Sequence, residues 1–222
     1  MKKIVAAFTL SVALGASSHL GSSAYAATIT FEEFGTTTVA SSISSGGFTF
    51  APADGSIFVI TDADVLSSCI PDCASNGTSW LGASRPGGTP VSTQPVTMTQ
   101  DNGGSFLLLG LDASELFVDL ETTNLLIVGN LAGGGTISVN LALDGINDSQ
   151  GGAADFQSFL LPAIWGTSPL SSVEFTGALG TGGVGDVSID NLLVQSVPEP
   201  ATLALLGIAF AGLGFSRRRK LH

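Results

Sequence analysis

Val91-Ser92-Thr93-Gln94-Pro95-Val96-Thr97-Met98-Thr99 leads through Gln100 into Asp101-Asn102-Gly103-Gly104, and then into Ser105-Phe106-Leu107-Leu108-Leu109-Gly110-Leu111. The first run is rich in Val and Thr, whose branched side chains suit a pleated strand. Pro95 has no N–H to give to a ladder, so it places that strand at an edge or at a bulge. Asp-Asn-Gly-Gly is a turn signal, because Asn and Gly accept the positive φ of a tight reversal. The second run is a short, buried-type strand. The pattern is that of strands, not helices.

The same punctuation continues in both directions. Upstream, Thr28 to Phe34 is β-prone, Gly47-Phe48-Thr49-Phe50 alternates apolar and polar, and Ile57 to Thr61 is a short apolar strand. Downstream come Leu125 to Val128, Thr136 to Leu143, Phe156 to Leu161, Ser172 to Thr176 and Val187 to Val194. Between them stand Gly133-Gly134-Gly135, Gln150-Gly151-Gly152 and the glycine-rich stretch Gly180 to Gly185. About ten short strands with frequent turns predict an all-β, antiparallel two-sheet β-sandwich. One long irregular stretch, Asp62 to Pro90, is expected to cap an edge or an end of it. That stretch holds Cys69 and Cys73, which can close a small local disulfide in an oxidising compartment, and Trp80.

The two chain ends read differently. Met1-Lys2-Lys3, the apolar run Ile4 to Ala16 and the small residues Ala24 and Ala26 form a secretory signal peptide pattern, with cleavage after Ala26. At the other end, Val197-Pro198-Glu199-Pro200 precedes an uncharged apolar run from Ala201 to Phe215 and then the basic cluster Arg217-Arg218-Arg219-Lys220. That run predicts a short transmembrane helix at about 201–216, roughly 22 Å long against a hydrocarbon core of ~30 Å. The basic cluster is a cytoplasmic stop by the positive-inside rule. Pro198 and Pro200 favour an extended backbone at Glu199, as a peptidase cleft needs. The chain thus divides into 1–26, a domain over 27–196, and a tail over 197–222.

Charge and chemistry narrow the function of the middle. The chain has 7 basic and 18 acidic residues and a net charge of −11. Arg85 is the only basic residue between the terminal signals. Nucleic acid and anionic lipid are therefore poor partners, since binding them requires Lys and Arg to replace counterions. The same segment has no His, Lys or Tyr. His-based nucleophilic triads, His-ligated zinc and Schiff-base lysines are excluded. Hydrolysis between two carboxylates is the one enzymatic route left by composition, and no spacing singles out a pair. Trp80 and Trp165 are the side chains best suited to stacking on a sugar; Trp80, in the long loop, is the candidate for exposure, and Trp165 for the core. Asn76-Gly77-Thr78 matches a glycosylation acceptor.

The tripartite tail closely resembles the PEP-CTERM sorting signal of Gram-negative bacteria. The resemblance implies an exported protein, held for a time in the inner membrane, cut near Pro-Glu-Pro by an exosortase, and delivered to the cell surface or the extracellular polysaccharide layer. More loosely, Thr30 to Phe34, Gly47 to Phe50, Ser172 to Gly177 and Val187 to Leu192 look like other exosortase-sorted ectodomains, which are similar to jelly-roll carbohydrate-binding modules. This second resemblance implies a structural calcium near the first and last strands, with Glu32, Glu33 and Asp190 as candidate ligands. No other cofactor is expected. The leading expectation is a non-enzymatic surface protein, and the alternatives are a lectin-like module using Trp80 or a two-carboxylate glycosidase.

Overall fold

The computed structural model describes residues 26–61, 74, 76–83, 92–116, 122–144, 156–179 and 183–198. Its strands are β1 (Ala26–Ile29), β2 (Thr38–Ala40), β3 (Ile43–Ser45), β4 (Phe48–Gly55), β5 (Ile57–Ile60), β6 (Trp80–Ala83) and β7 (Ser92–Gln100). They continue with β8 (Ser105–Glu115), β9 (Thr122–Leu131), β10 (Thr136–Ala142), β11 (Gln157–Leu160), β12 (Leu170–Leu179), β13 (Val184–Gly185) and β14 (Val187–Val197). Among the described residues the sole helical element is a 3₁₀ turn at Ala163–Gly166. None of their helices is long and apolar enough to cross a membrane. The signal peptide up to Tyr25, both cysteines and the apolar tail lie outside the described residues.

The protein is all-β, but its ladders do not separate into two sheets. One hydrogen-bonded path runs β2-β5-β6-β14-β8-β12-β7-β4-β3, with β1 on β14, β11 on β8, β13 on β12, and the β9–β10 pair on β12. Its two halves meet at a single residue pair, Leu170 with Phe106. Every pairing is antiparallel, and the result is one nearly closed sheet around one core. Alternation along the strands fills that core: Phe48 and Phe50 of β4 point in, as do Leu125 and Ile127 of β9. Phe31 packs edge-on against Phe50 at 5.2 Å, and Phe48 against Phe106 at 5.0 Å. Such ring pairs add about 0.5–1.5 kcal/mol each beyond burial.

Of the two places expected for Pro95, an edge or a bulge, the structure takes the second. Pro95 does not sit on an edge strand, because β7 lies between β12 and β4. It sits instead at an irregularity, where the register with β4 shifts between Pro52 and Asp54. There the Gln94 side chain supplies what the ladder lacks. Its Nε2 donates to Gly185 O at 2.7 Å and Ala83 O at 3.1 Å, and its Oε1 accepts from Gly177 N at 2.6 Å. One expectation changes, that for the stretch 62–90. It contains a core strand: β6 pairs with β14 on one side and β5 on the other, and all four of its residues are buried.

Candidate functional site

β14 is the strand on which the candidate residues converge. It pairs along one side with β8, and along the other first with β6 (Val187 to Ile189) and then with β1 (Leu192 to Gln195). The change of partner happens at Asp190-Asn191. There the β8 register slips, since Asp190 faces Asp112 but Leu193 faces Gly110, which makes Asn191 a bulge residue. Asn191 has φ 48°, a left-handed conformation that Asn accepts more readily than most residues.

The bulge organises a polar cluster between the end of β1 and the start of β6. Asp190, with no exposed surface, accepts at Oδ1 from Asn191 N (2.7 Å) and at Oδ2 from Asn76 Nδ2 (2.8 Å). The Thr78 hydroxyl lies 2.9 Å from Asp190 Oδ2 and 2.6 Å from Asn76 Oδ1, and its one proton serves one of them at a time. Asn191 Nδ2 donates to Asp112 Oδ2 at 2.7 Å. Glu32, just beyond β1, accepts from Ser79 N at 2.6 Å. The turn 76–79, with Gly77 at φ 80° and Asn76 Oδ1 accepting from Thr78 N, is thus held by Asp190 on one side and by Glu32 on the other. Burial pushes the Asp190 carboxyl up to about 6; the Asn76, Asn191 and Thr78 donors pull it down, and the neighbouring Asp112 charge raises it further.

Glu32, Glu33 and Asp190, the residues expected at a calcium, are not drawn into one group. Glu32 and Asp190 hold one turn from opposite sides, through different atoms, and Glu33 is exposed. Both Asp190 oxygens accept hydrogen bonds from N–H donors. Among the described residues no group of three or more His, Cys, Asp or Glu side chains is placed to hold a metal. Asn76, Thr78, Ser79, Asp112 and Asn191 were not singled out as partners from sequence. The signals were present in the Asn-Gly-Thr turn, which serves here as a hydrogen-bonded plug, and in the Asp-Asn break within an apolar strand.

Trp80 is not available to a sugar. It is fully buried at the start of β6, with its ring 6.3 Å from Phe58 and 6.1 Å from Phe156. The reason is its placement on a strand inserted between β14 and β5, not on an open loop. Trp165 is also fully buried, in the 3₁₀ turn.

Of the terminal signals, the structure describes Ala26, Val197 and Pro198. Ala26 is the first residue of β1 and pairs with Gln195. Val197 is the last residue of β14 and pairs with Ser105, and Pro198 is exposed. Ala24, Glu199, Pro200, Arg217, Arg218, Arg219 and Lys220 lie outside the described residues, as do Cys69 and Cys73. Among the described residues the last ladder pair is therefore at Val197, and the Pro-Glu-Pro begins immediately after it.

No curated protein matches the chain. A solved structure, the enzymatically active domain of tailspike protein 4 of bacteriophage CBA120, is similar at 15% identity over 76% of this chain and 20% of that one, with a TM-score of 0.24. The chain thus spans about a fifth of that domain's length, and a likeness so weak carries no conclusion. The match that identifies something lies at the C-terminus: residues 196–220 are a PEP-CTERM protein-sorting motif.

Proposed function

We propose that this is a non-enzymatic, exported β-domain. Its tail holds it in the inner membrane until an exosortase cuts near Pro198-Glu199-Pro200, and the domain then joins the cell surface or the extracellular polysaccharide. The observation that carries the reading is the position of the sorting motif, which starts on the last two residues of β14 and leaves the rest of the signal beyond the finished fold. A signal threaded into the sheet would be closed to a peptidase; one that follows the last ladder pair is open to it.

The non-enzymatic part is supported by composition and by burial. The segment 27–197 has no His or Lys. Asp190, whose proton affinity is raised as a general acid's would be, has no exposed surface and both oxygens engaged. We also read the two halves of the strand path, joined only through Leu170 and Phe106, as the two layers of a sandwich.

Deleting Pro198 to Pro200 is the decisive experiment. The variant is expected to keep the melting temperature of the β-domain and to accumulate uncut in the inner membrane fraction. Unchanged surface delivery would refute the sorting role.

A further inference from the structure

We infer that the outer edge of β10 is a self-association surface, on which the β10 of a second copy adds antiparallel to give a two-fold dimer with one sheet running through both copies. The inference concerns the β-domain and does not depend on the tail.

Six strands have a single partner among the described residues: β1, β2, β3, β10, β11 and β13. Five of them are only two to four residues long. Shortness is one way in which a sheet blunts an edge; charged side chains, proline and bulges are others. β10 has none of these. It runs for 7 residues, Thr136–Ala142, in unbroken register with β9, from Thr136 opposite Asn130 to Ala142 opposite Asn124. Its sequence, Thr-Ile-Ser-Val-Asn-Leu-Ala, holds no charge and no proline. The outer side of such a strand presents a row of N–H and C=O groups spaced to take another strand.

The pattern of the strand selects the partner. Thr136, Ser138, Asn140 and Ala142 are exposed, while Ile137, Val139 and Leu141 face the core, where Ile137 and Val139 are only half-buried. Side-chain type therefore reads the same in both directions about Val139. Two copies placed antiparallel about that residue pair 136 with 142, 137 with 141 and 138 with 140. On the outward face polar and small side chains meet one another. On the core face Ile137 meets Leu141, and the added strand covers the half-exposed Ile137 and Val139. A slip of one residue would turn one copy's apolar side chains to the other's solvent face, so the register is specified.

Charge selects the same surface. The chain carries a net charge of −11, so two copies repel wherever their carboxylates approach. The β9–β10 hairpin and the residue after it, 122–143, carry no charge. Asp144 follows, and in this register it falls beyond the strand pairs, against the uncharged glycine turn 133–135 of the second copy. A strand that adds no like charge and matches itself on both faces fits a second copy of this chain. Seven residue pairs make a small interface, so the dimer is expected to form only as concentration rises.

Sedimentation velocity of the full chain in a neutral detergent, over a range of concentrations, tests the assignment. The wild type is expected to shift from monomer to dimer with increasing concentration. The double variant Ser138→Asp, Asn140→Asp sets carboxylates against each other in two pairs and is expected to stay monomeric. The double variant Ser138→Lys, Asn140→Lys is expected to stay monomeric alone and to form dimers when mixed with the aspartate variant, as direct contact across β10 requires. Both positions are exposed, and an unchanged melting temperature verifies each variant's fold. Amide hydrogen exchange of the wild type gives a second reading that needs no variant: exchange over 136–142 is expected to slow several-fold at high concentration, and exchange over the short edge strand β3 to stay the same. A wild type that is monomeric throughout, a dimer that survives the paired aspartates, or exchange over 136–142 that ignores concentration overturns the interface.

Discussion

Asp190 shows how one residue sets a pH response. Its carboxyl titrates at about 6 in the folded protein and near 3.8 when unburied. Between those values the folded state keeps a proton that the unfolded chain has released. This contribution to stability is therefore whole below the lower value and lost as pH rises through the higher one. Replacing Asp190→Asn removes the proton but keeps the shape. The stability difference between wild type and variant, measured by denaturant melts, is expected to move against the wild type by up to about 3 kcal/mol from pH 4 to pH 7. A difference that does not change with pH would show that the carboxyl is not buried as described. Metal dependence is judged at the same residue. Because no group of three or more acidic, His or Cys side chains gathers there among the described residues, a chelator is expected to leave the melting temperature unchanged. A fall of several degrees would restore the calcium.

Among the elements, close backbone approach sets the tolerances. Gly177 of β12 lies against β13, and a Cβ there would stand 2.7 Å from Gly185 O. Gly177→Ala must push two paired strands apart and is expected to cost about 1–3 kcal/mol, read as a lower denaturant midpoint at constant slope. An unchanged midpoint would mean that β13 is not paired as described. This is also the scale at which the sequence was most and least legible. Long runs with clear alternation or apolar content, such as Ser105 to Leu111 and Val187 to Val194, became β8 and β14, each longer than expected. The short strands β2, β3 and β6 were missed. Three or four residues give no period to read, and β6 owes its place to neighbours on β14 and β5 that are distant in the chain. The polar cluster failed for the same reason. Glu32 and Asp190 could be picked out as acids near the first and last strands, but their partners at 76–79 enter only through the fold. Trp80 was misplaced because an irregular composition around it hid a strand.

For the whole molecule, the described ladders run from Ala26 to Val197, and the matched sorting motif, residues 196–220, overlaps them at two residues only. The sorting motif was fully legible beforehand, because its order of rigid, greasy and basic segments is local and needs no tertiary context. What the domain does was not, since no spacing of its carboxylates singles out a catalytic or binding set in the sequence.

The placement of β14 also governs when this protein becomes a solid object. It is the last made of the described strands, yet it is the hub to which β1, β6 and β8 all attach. A polypeptide delivered N-terminus first must wait, with the partners of that hub unsatisfied, until residue 197 arrives. Maturation is thus timed to the final instalment of the chain, immediately before the segment that would tie it to a membrane.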